Sequence, residues 1–341
     1  MRLEINRLEG LRNDLSLRLE RAEIDAAHLS VPHRRRLMAL PGMPRHREAT
    51  PDETKGVAEC KIPIEEHLRH LGILDAEGKP QCRAIAIGNR NLGANHGNIA
   101  WQRSASPPIF RIAEDPCSYA AHSCLTAWRD GSLSIEDLRF DFEAQCVYSV
   151  PDGRDEAGTN RESGTNLSDQ IEWATFGQRV LRAGSLTAIE DIIDQFSDLR
   201  HVLAFDHHKD HGVRVRDDSY RGYPARFREN ALAAWRDAGV PRARYFHNAI
   251  GFSRDALFVV QREGTVEEVG AALLAAGADD GIILDNGGSV VCWAWWLNQY
   301  RGGIVSPTID YRPPGTSAIA FVLKGPVSHD LPGGSVSYSV L

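Results

Sequence analysis

The chain has no Cys-x-x-Cys pair, no apolar window long enough for a membrane helix, no basic excess and no phosphate-loop Gly-Lys-Ser/Thr ending. Each absence excludes a class. Its six cysteines (60, 82, 117, 124, 146 and 292) are scattered, which argues against a zinc ribbon or a thioredoxin-like site, and a chain of 341 residues needs no disulfide staples. The missing apolar window, set against the ~20 residues a span requires, leads us to expect no membrane partner. A net charge of −7 argues against a nucleic-acid binder, and the run His33-Arg34-Arg35-Arg36 reads as a solvated helix end or linker, with a functional basic patch as the alternative. The charged amino terminus lacks the apolar core of a secretory leader, so the expected location is cytoplasmic. No repeat at a solenoid period is visible.

What remains is ordinary globular composition, 42% apolar and 25% charged. Leu8, Leu11, Leu15 and Leu19 recur at spacings of three and four. This predicts a helix over 1–29, either packed on its own domain or forming a dimer arm that would make a homo-oligomer. The expected organisation is a helical arm and linker over 1–50, an α/β domain over 51–325 and a tail over 326–341. Ala84-Ile85-Ala86-Ile87 reads as a buried strand running into a Gly- and Asn-rich segment, 88–98. Residues 141–150 read as another strand, and 152–169 form a polar stretch long for a loop. Further on, 187–196 and 228–238 read as helices, and 201–205 and 318–323 as strands.

The densest signal lies near the C-terminal end. Ala249 to Phe252 and Ala256 to Val260 form a hairpin around Ser253-Arg254-Asp255. Thr265 and Glu268 then have capping-box spacing, Val266, Val269, Leu273 and Leu274 give one apolar face, and Gly277 is a helix stop. The chain returns as the strand Gly281 to Leu284 and breaks into Asp285-Asn286-Gly287-Gly288-Ser289. If that strand shares a sheet with 256–260, the crossover is parallel and right-handed. The loop then sits at a strand's carboxyl end, where open α/β sheets bind ligands. Glycine lets backbone approach a ligand closely, and the acid beside it is aimed at that ligand.

These elements resemble the phosphodiester glycosidase family, the uncovering-enzyme type. That family shows a Pro-Arg-Thr-Ala-x-Gly strand, a hairpin, a helix, a strand ending in Leu-Asp-Gly-Gly-Gly-Ser, and an Arg-Pro before a last apolar strand. Here the counterparts are Phe246 to Gly251, Leu284 to Ser289, Arg312-Pro313, and Ala318 to Leu323. The resemblance is good over 240–325, faint over 170–205 and not visible before 150. His247 stands where the family has Arg, and Asn286 where it has the first Gly of the triplet. The resemblance implies an α+β fold with a mixed sheet and flanking helices. It also implies a hydrolase, or a glycosyl transferase, acting at a glycosyl–phosphate bond, with a sugar phosphodiester or nucleotide sugar as the small-molecule substrate.

On that reading Asp285 is the catalytic carboxylate, supporting an oxocarbenium-like state. Its alternative is a turn cap, closing an Asx-turn on its own backbone. His247, with an unperturbed pKa of roughly 6.5, either transfers a proton or hydrogen-bonds a phosphate. Arg312 clamps an anion through its planar fork. Asn286, Gly287, Gly288 and Ser289 supply the binding loop, with Asn248 beside them. On an ideal strand Asn248 faces away from His247, and His247 is ranked first. The run Asp206-His207-His208-Lys209-Asp210-His211 admits two readings. Asp206 and His208 line the cleft as polar loop residues, or His207, His208 and His211 hold a divalent metal as the centre of a metal-dependent hydrolase. No cofactor is otherwise indicated. The rival class is a non-catalytic carbohydrate- or nucleotide-binding protein with a decayed site. His122 and Cys124, two apart, admit a thiol-nucleophile reading, and Trp293, Trp295, Trp296 and Tyr300 are either sugar-stacking rings or core.

Overall fold

The computed structural model describes residues 14–31, 63–89, 99–111, 122–150, 164–195, 242–287, 290–295, 303–304 and 317–325, apart from positions 107 and 142, with a short piece within 232–239. The fold is α+β, built from three sheets with few helices. The first sheet contains β1 (Leu15–Glu20), β10 (Gln178–Arg182), β11 (Ser185–Leu186), β12 (Tyr245–Phe252), β13 (Ala256–Gly264) and β14 (Asp280–Asn286), in the order β1-β13-β12-β14-β10-β11. The second contains β2 (Ile24–Ser30), β3 (Ala84–Asn89), β15 (Cys292–Ala294), β16 (Gly303–Ile304) and β17 (Ser317–Leu323), in the order β16-β15-β3-β17-β2. The third runs β5-β4-β9-β6-β7-β8, from β4 (Ile99–Gln102), β5 (Ile109–Arg111), β6 (His122–Trp128), β7 (Leu133–Asp141), β8 (Cys146–Ser149) and β9 (Ile171–Phe176). The described helices are α1 (Ile64–His70), α2 (Ile189–Gln195) and α3 (Val266–Ala276). No described helix is long and apolar enough to cross a membrane.

The three sheets turn one face each into a shared apolar core. Leu17, Ile87, Leu125, Trp173, Ile250 and Ile282 meet there, and all are buried. Val266, Val269 and Leu273 of α3 cover the opposite face of the first sheet, against Ala249, Phe258 and Ile283. Leu274, expected on that face, is exposed. On the second sheet, Ile64 and Leu68 of α1 cover Ala86, Trp293 and Ala320. Trp293 and Trp295 are therefore core residues in this protein.

The expected helix over 1–29 is corrected wherever the chain is described. Residues 15–20 and 24–30 are strands β1 and β2, while residues 1–13 lie outside the description. Leu15, Leu17 and Leu19 alternate with Ser16, Arg18 and Glu20, and this period of two buries all three leucines against β13. Leu15 and Leu19 also fit a helical spacing of four, which is why one pattern imitated the other. With this segment paired into the core, the helical dimer arm loses its basis over 14–31. The strand read over 141–150 is the end of β7, a turn and β8.

The C-terminal unit forms as its sequence signals. β12 and β13 make the hairpin. The Thr265 hydroxyl accepts from the Glu268 amide at 3.3 Å, and the Glu268 carboxylate accepts from the Thr265 amide at 3.0 Å. Gly277 closes α3 at φ 100°, a left-handed conformation that glycine adopts without strain. β14 runs parallel to β13, but β12 lies between them and pairs antiparallel with both. β9 passes through Gly177 into β10 and so joins the third sheet to the first. A Cβ on Gly177 would lie 2.5 Å from Ile282 Cγ1 and 2.6 Å from the Ile283 carbonyl oxygen. The chain crosses between sheets where only glycine fits.

Candidate functional site

The carboxyl end of β14 meets the amino-terminal half of β12 and the end of β3. Across β12 and β14, His247 is opposite Asn286, Asn248 is opposite Asp285, and Ala249 is opposite Ile283. Leu284 is thus an extra residue, and the register shift is a bulge in β14. Directly opposed residues in an antiparallel pair share a face. Asn248 and Asp285 therefore face the three-sheet interior, along with Ile250 and Phe252. His247 and Asn286 face the α3 side with Ala249.

The register thus places Asn248 across from Asp285, and His247, ranked first from the sequence, across from Asn286. His247 is 1% exposed, and its Nε2 donates to the Gly264 carbonyl at 3.1 Å, which fixes the tautomer. Its ring meets Tyr245 edge-on. Opposite His247 on β13 is Arg262, 3.8 Å from the Asp14 carboxylate. Burial pushes the Asp14 carboxyl up, and Arg262 partly offsets this. The row Arg262–His247–Asn286 is a second polar face of the same strands, away from Asp285.

Asp285 is 4% exposed, and its Oδ1 accepts from the Asn286 amide at 2.7 Å. Asn248 is fully buried. Its Nδ2 donates to the Gly88 carbonyl of β3 at 2.9 Å, and its Oδ1 accepts from Gln261 Nε2 of β13 at 3.2 Å. Around the end of β3, Asn89 Nδ2 donates to Thr175 Oγ1 of β9 at 2.9 Å, and the Ser317 hydroxyl of β17 donates to the Asn89 carbonyl at 2.6 Å. The Gly88 amide donates to the Val291 carbonyl at 3.0 Å. Members of all three sheets thus grip the end of β3 beside Asp285. Burying so many polar groups is stable only because they satisfy one another.

Gln261, Thr175 and Ser317 were not singled out from the sequence. The usable signal was an amide or hydroxyl at an otherwise apolar strand position, as in Val259-Val260-Gln261. Gly287 has φ 80°, so the backbone turns out of β14 in a conformation that favours glycine. Gly288, Ser289, Arg312, Asp206, His207, His208 and His211 lie outside the described residues. Among the described residues no group of three His, Cys, Asp or Glu side chains could hold a metal ion. Cys124 is buried, and burial together with the Asp137 charge pushes its thiol well up, which opposes a nucleophilic thiolate.

No protein-family model matches the chain, and no curated protein matches it in sequence. Similar solved structures include the catalytic domain of zebrafish N-acetylglucosamine-1-phosphodiester alpha-N-acetylglucosaminidase, auto-inhibited by its pro-peptide. That likeness has a TM-score of 0.44 at 11% identity and covers 95% of this chain and 87% of that one. A hypothetical protein from Synechocystis is similar at a TM-score of 0.33 and 11% identity, covering 91% of this chain and 59% of that one. Both are distant likenesses of overall shape.

Proposed function

We propose that the protein is a hydrolase, or a glycosyl transferase, acting at the glycosyl–phosphate bond of a sugar phosphodiester or nucleotide sugar, with Asp285 as the carboxylate that serves the anomeric carbon. One observation carries this reading. Asp285 is almost fully buried at the end of β14, immediately before the backbone turns at Gly287. Removing a carboxylate from water is costly, so a chain that keeps one at a buried sheet junction has a use for it. The chemistry matches the group. A carboxylate beside an anomeric carbon stabilises the oxocarbenium-like transition state, traps it, or directs water onto it. Phosphate is a weakly basic leaving group, so a strong general acid is less needed than for an ordinary glycoside. The resemblance of Leu284 to Ser289 to the phosphodiester glycosidase loop supports the same assignment, and on it Arg312 would serve as the anion clamp.

The test is a screen of the purified protein against sugar-1-phosphodiesters and nucleotide sugars, with products followed by mass spectrometry. We expect sugar and phosphate release by the parent and a loss of at least about a hundredfold in Asp285→Asn, the scale of losing a principal charge-stabilising group. Release that survives in a folded Asp285→Asn protein would remove Asp285 from the mechanism. A second reading is a binding protein without turnover, in which Asp285 only braces its own backbone through the bond from the next amide, that of Asn286. Ligand-induced thermal shifts with no product from any candidate would favour it over the enzyme.

A further inference from the structure

We infer that Gln145 is a clasp that closes the third sheet into a barrel and governs the opening of its edge strand β5. The inference is independent of the glycosyl–phosphate reading above. β5 and β8 are the two edges of that sheet, and no ladder joins them among the described residues. In a flat sheet of this order they would lie about 24 Å apart, five steps of roughly 4.8 Å. Yet the Ile109 amide of β5 donates at 3.2 Å to Oε1 of Gln145, in the turn between β7 and β8. Ile109 and Val147 of β8 also belong to one buried cluster with Trp101, Leu138, Phe140 and Ile171. The sheet is therefore rolled, with one face toward the three-sheet core and the other wrapped around this second cluster.

The bond is prepared from both sides. Trp101 is opposite Ile109, and the Gln102 amide donates to the Pro108 carbonyl at 2.9 Å. Bonded and non-bonded pairs alternate along an antiparallel ladder, and Gln102 with Pro108 is the bonded pair. The Ile109 N–H then points away from β4, on the free edge, although Ile109 is only 2% exposed. A buried edge amide needs an acceptor, and Gln145 supplies it. On the other side, Gln145 has φ 55°, a left-handed conformation that glycine or asparagine takes more readily. Asp141 holds the turn around it, with Oδ1 accepting from the Glu143 and Ala144 amides at 3.0 and 2.9 Å. The reach of its carbonyl to β5 accounts for a glutamine in a position that disfavours it. The seam is closed by one side chain rather than by a ladder, so it has the least to break. β5, three residues long and paired in a ladder on one side only, is the piece that its release sets free.

Gln145→Gly keeps the left-handed turn and removes the acceptor. The experiment is native-state hydrogen exchange by NMR on the full chain. It reads the Ile109 amide, the Trp101 indole N–H, and the Leu125 and Ile135 amides of β6 and β7. We expect Ile109 and the Trp101 indole to exchange at least about tenfold faster in Gln145→Gly, with Leu125 and Ile135 unchanged. An unchanged Ile109 rate would overturn the inference, because the seam would then not depend on Gln145. A rise shared equally by Leu125 and Ile135 would overturn it too, since the third sheet would then open as one unit. Gln145→Asn, which tolerates the turn but is one methylene shorter, should reproduce the glycine pattern. The parent protein gives a measurement that needs no variant. In denaturant below the unfolding transition, Ile109 and the Trp101 indole should exchange through an opening that denaturant barely affects, while Leu125 and Ile135 follow global unfolding. Ile109 exchanging only with global unfolding would overturn the inference even if neither variant folded.

Discussion

Where the first sheet meets the third, the polar groups are ions gathered around one buried arginine, and where it meets the second, they are buried amides. At the first junction Arg179 of β10 is almost fully buried, with Nη2 2.5 Å from Asp280 Oδ1 and Nη1 3.7 Å from Asp137 Oδ1. Asp137 of β7 also accepts from the Ser123 hydroxyl at 2.6 Å and from Arg182 Nη2 at 2.6 Å. At the second junction Gln261, Asn248 and the Gly88 carbonyl form an uncharged line, and Asp285 is directly across the strands from Asn248. Desolvating ions is expensive and is repaid only by close pairing, so the ionic junction has its charges matched within itself. The first arrangement is a latch between sheets. The second ties β3 to the middle strand of the first sheet, beside Asp285.

The largest effect expected from breaking either junction is at Asn248. Asn248→Leu removes the donor to Gly88 and the acceptor for Gln261 in a site without water access. Two buried groups each lose a partner, at roughly 1–3 kcal/mol apiece, so a loss of about 3 kcal/mol is expected in denaturant unfolding. The loss should be nearly independent of salt, because no ion is involved. A loss below about 1 kcal/mol would mean that the sheets do not depend on this line.

The ionic junction should respond to acid instead. Burial pushes the Asp137 carboxyl up, but the Ser123 hydroxyl, Arg182 and Arg179 outweigh it and hold the group below its ordinary value of 3.8. A carboxyl depressed in the folded state contributes stability that is complete above the unfolded pKa and is lost as the pH falls through the folded one. Asp137→Asn should therefore cost on the order of 1.5 kcal/mol at neutral pH, the scale of hydrogen bonds to a charged group. That cost should shrink as the pH drops below about 4. The groups facing Asp137 from the first sheet are Arg179 and Arg182, and Asp280 remains to pair with Arg179 in the variant. A cost that stayed flat between neutral pH and strong acid would show that shape rather than charge holds this junction.

The contrast also shows what the sequence disclosed. The hairpin, the capping box, α3 and the apolar strand before Asp285 were legible because each is specified locally, by alternation, cap chemistry and a terminal glycine. β1 was not, because Leu15 and Leu19 satisfy a helical spacing as well as a strand spacing, and the partner that decides between them lies on β13; β2 likewise pairs with a strand far along the chain, β17. Asp285 stood out by its surroundings. Its neighbour did not, since the choice between His247 and Asn248 rests on cross-strand register and on the extra residue Leu284 in β14. Gln261 was invisible for the same reason, its partner being on an adjacent strand thirteen positions away.

The smallest effect is expected at a position belonging to neither junction. Thr265 caps α3 on the outer face of the first sheet, joined reciprocally to Glu268, which Arg244 also contacts at 2.8 Å. Thr265→Ala removes one cap bond and should cost about 1 kcal/mol. The helix it caps buries Val266, Val269 and Leu273 against the far side of β12 and β13. If the sheet acts as a rigid layer, this loss adds to that of Asn248→Leu without interaction, as separated sites do. A coupling well above about 0.5 kcal/mol would mean that the cap of α3 and the amide line are read through the same strands. The two faces of β12, one carrying His247 and the other Asn248, would then have to be treated as one site.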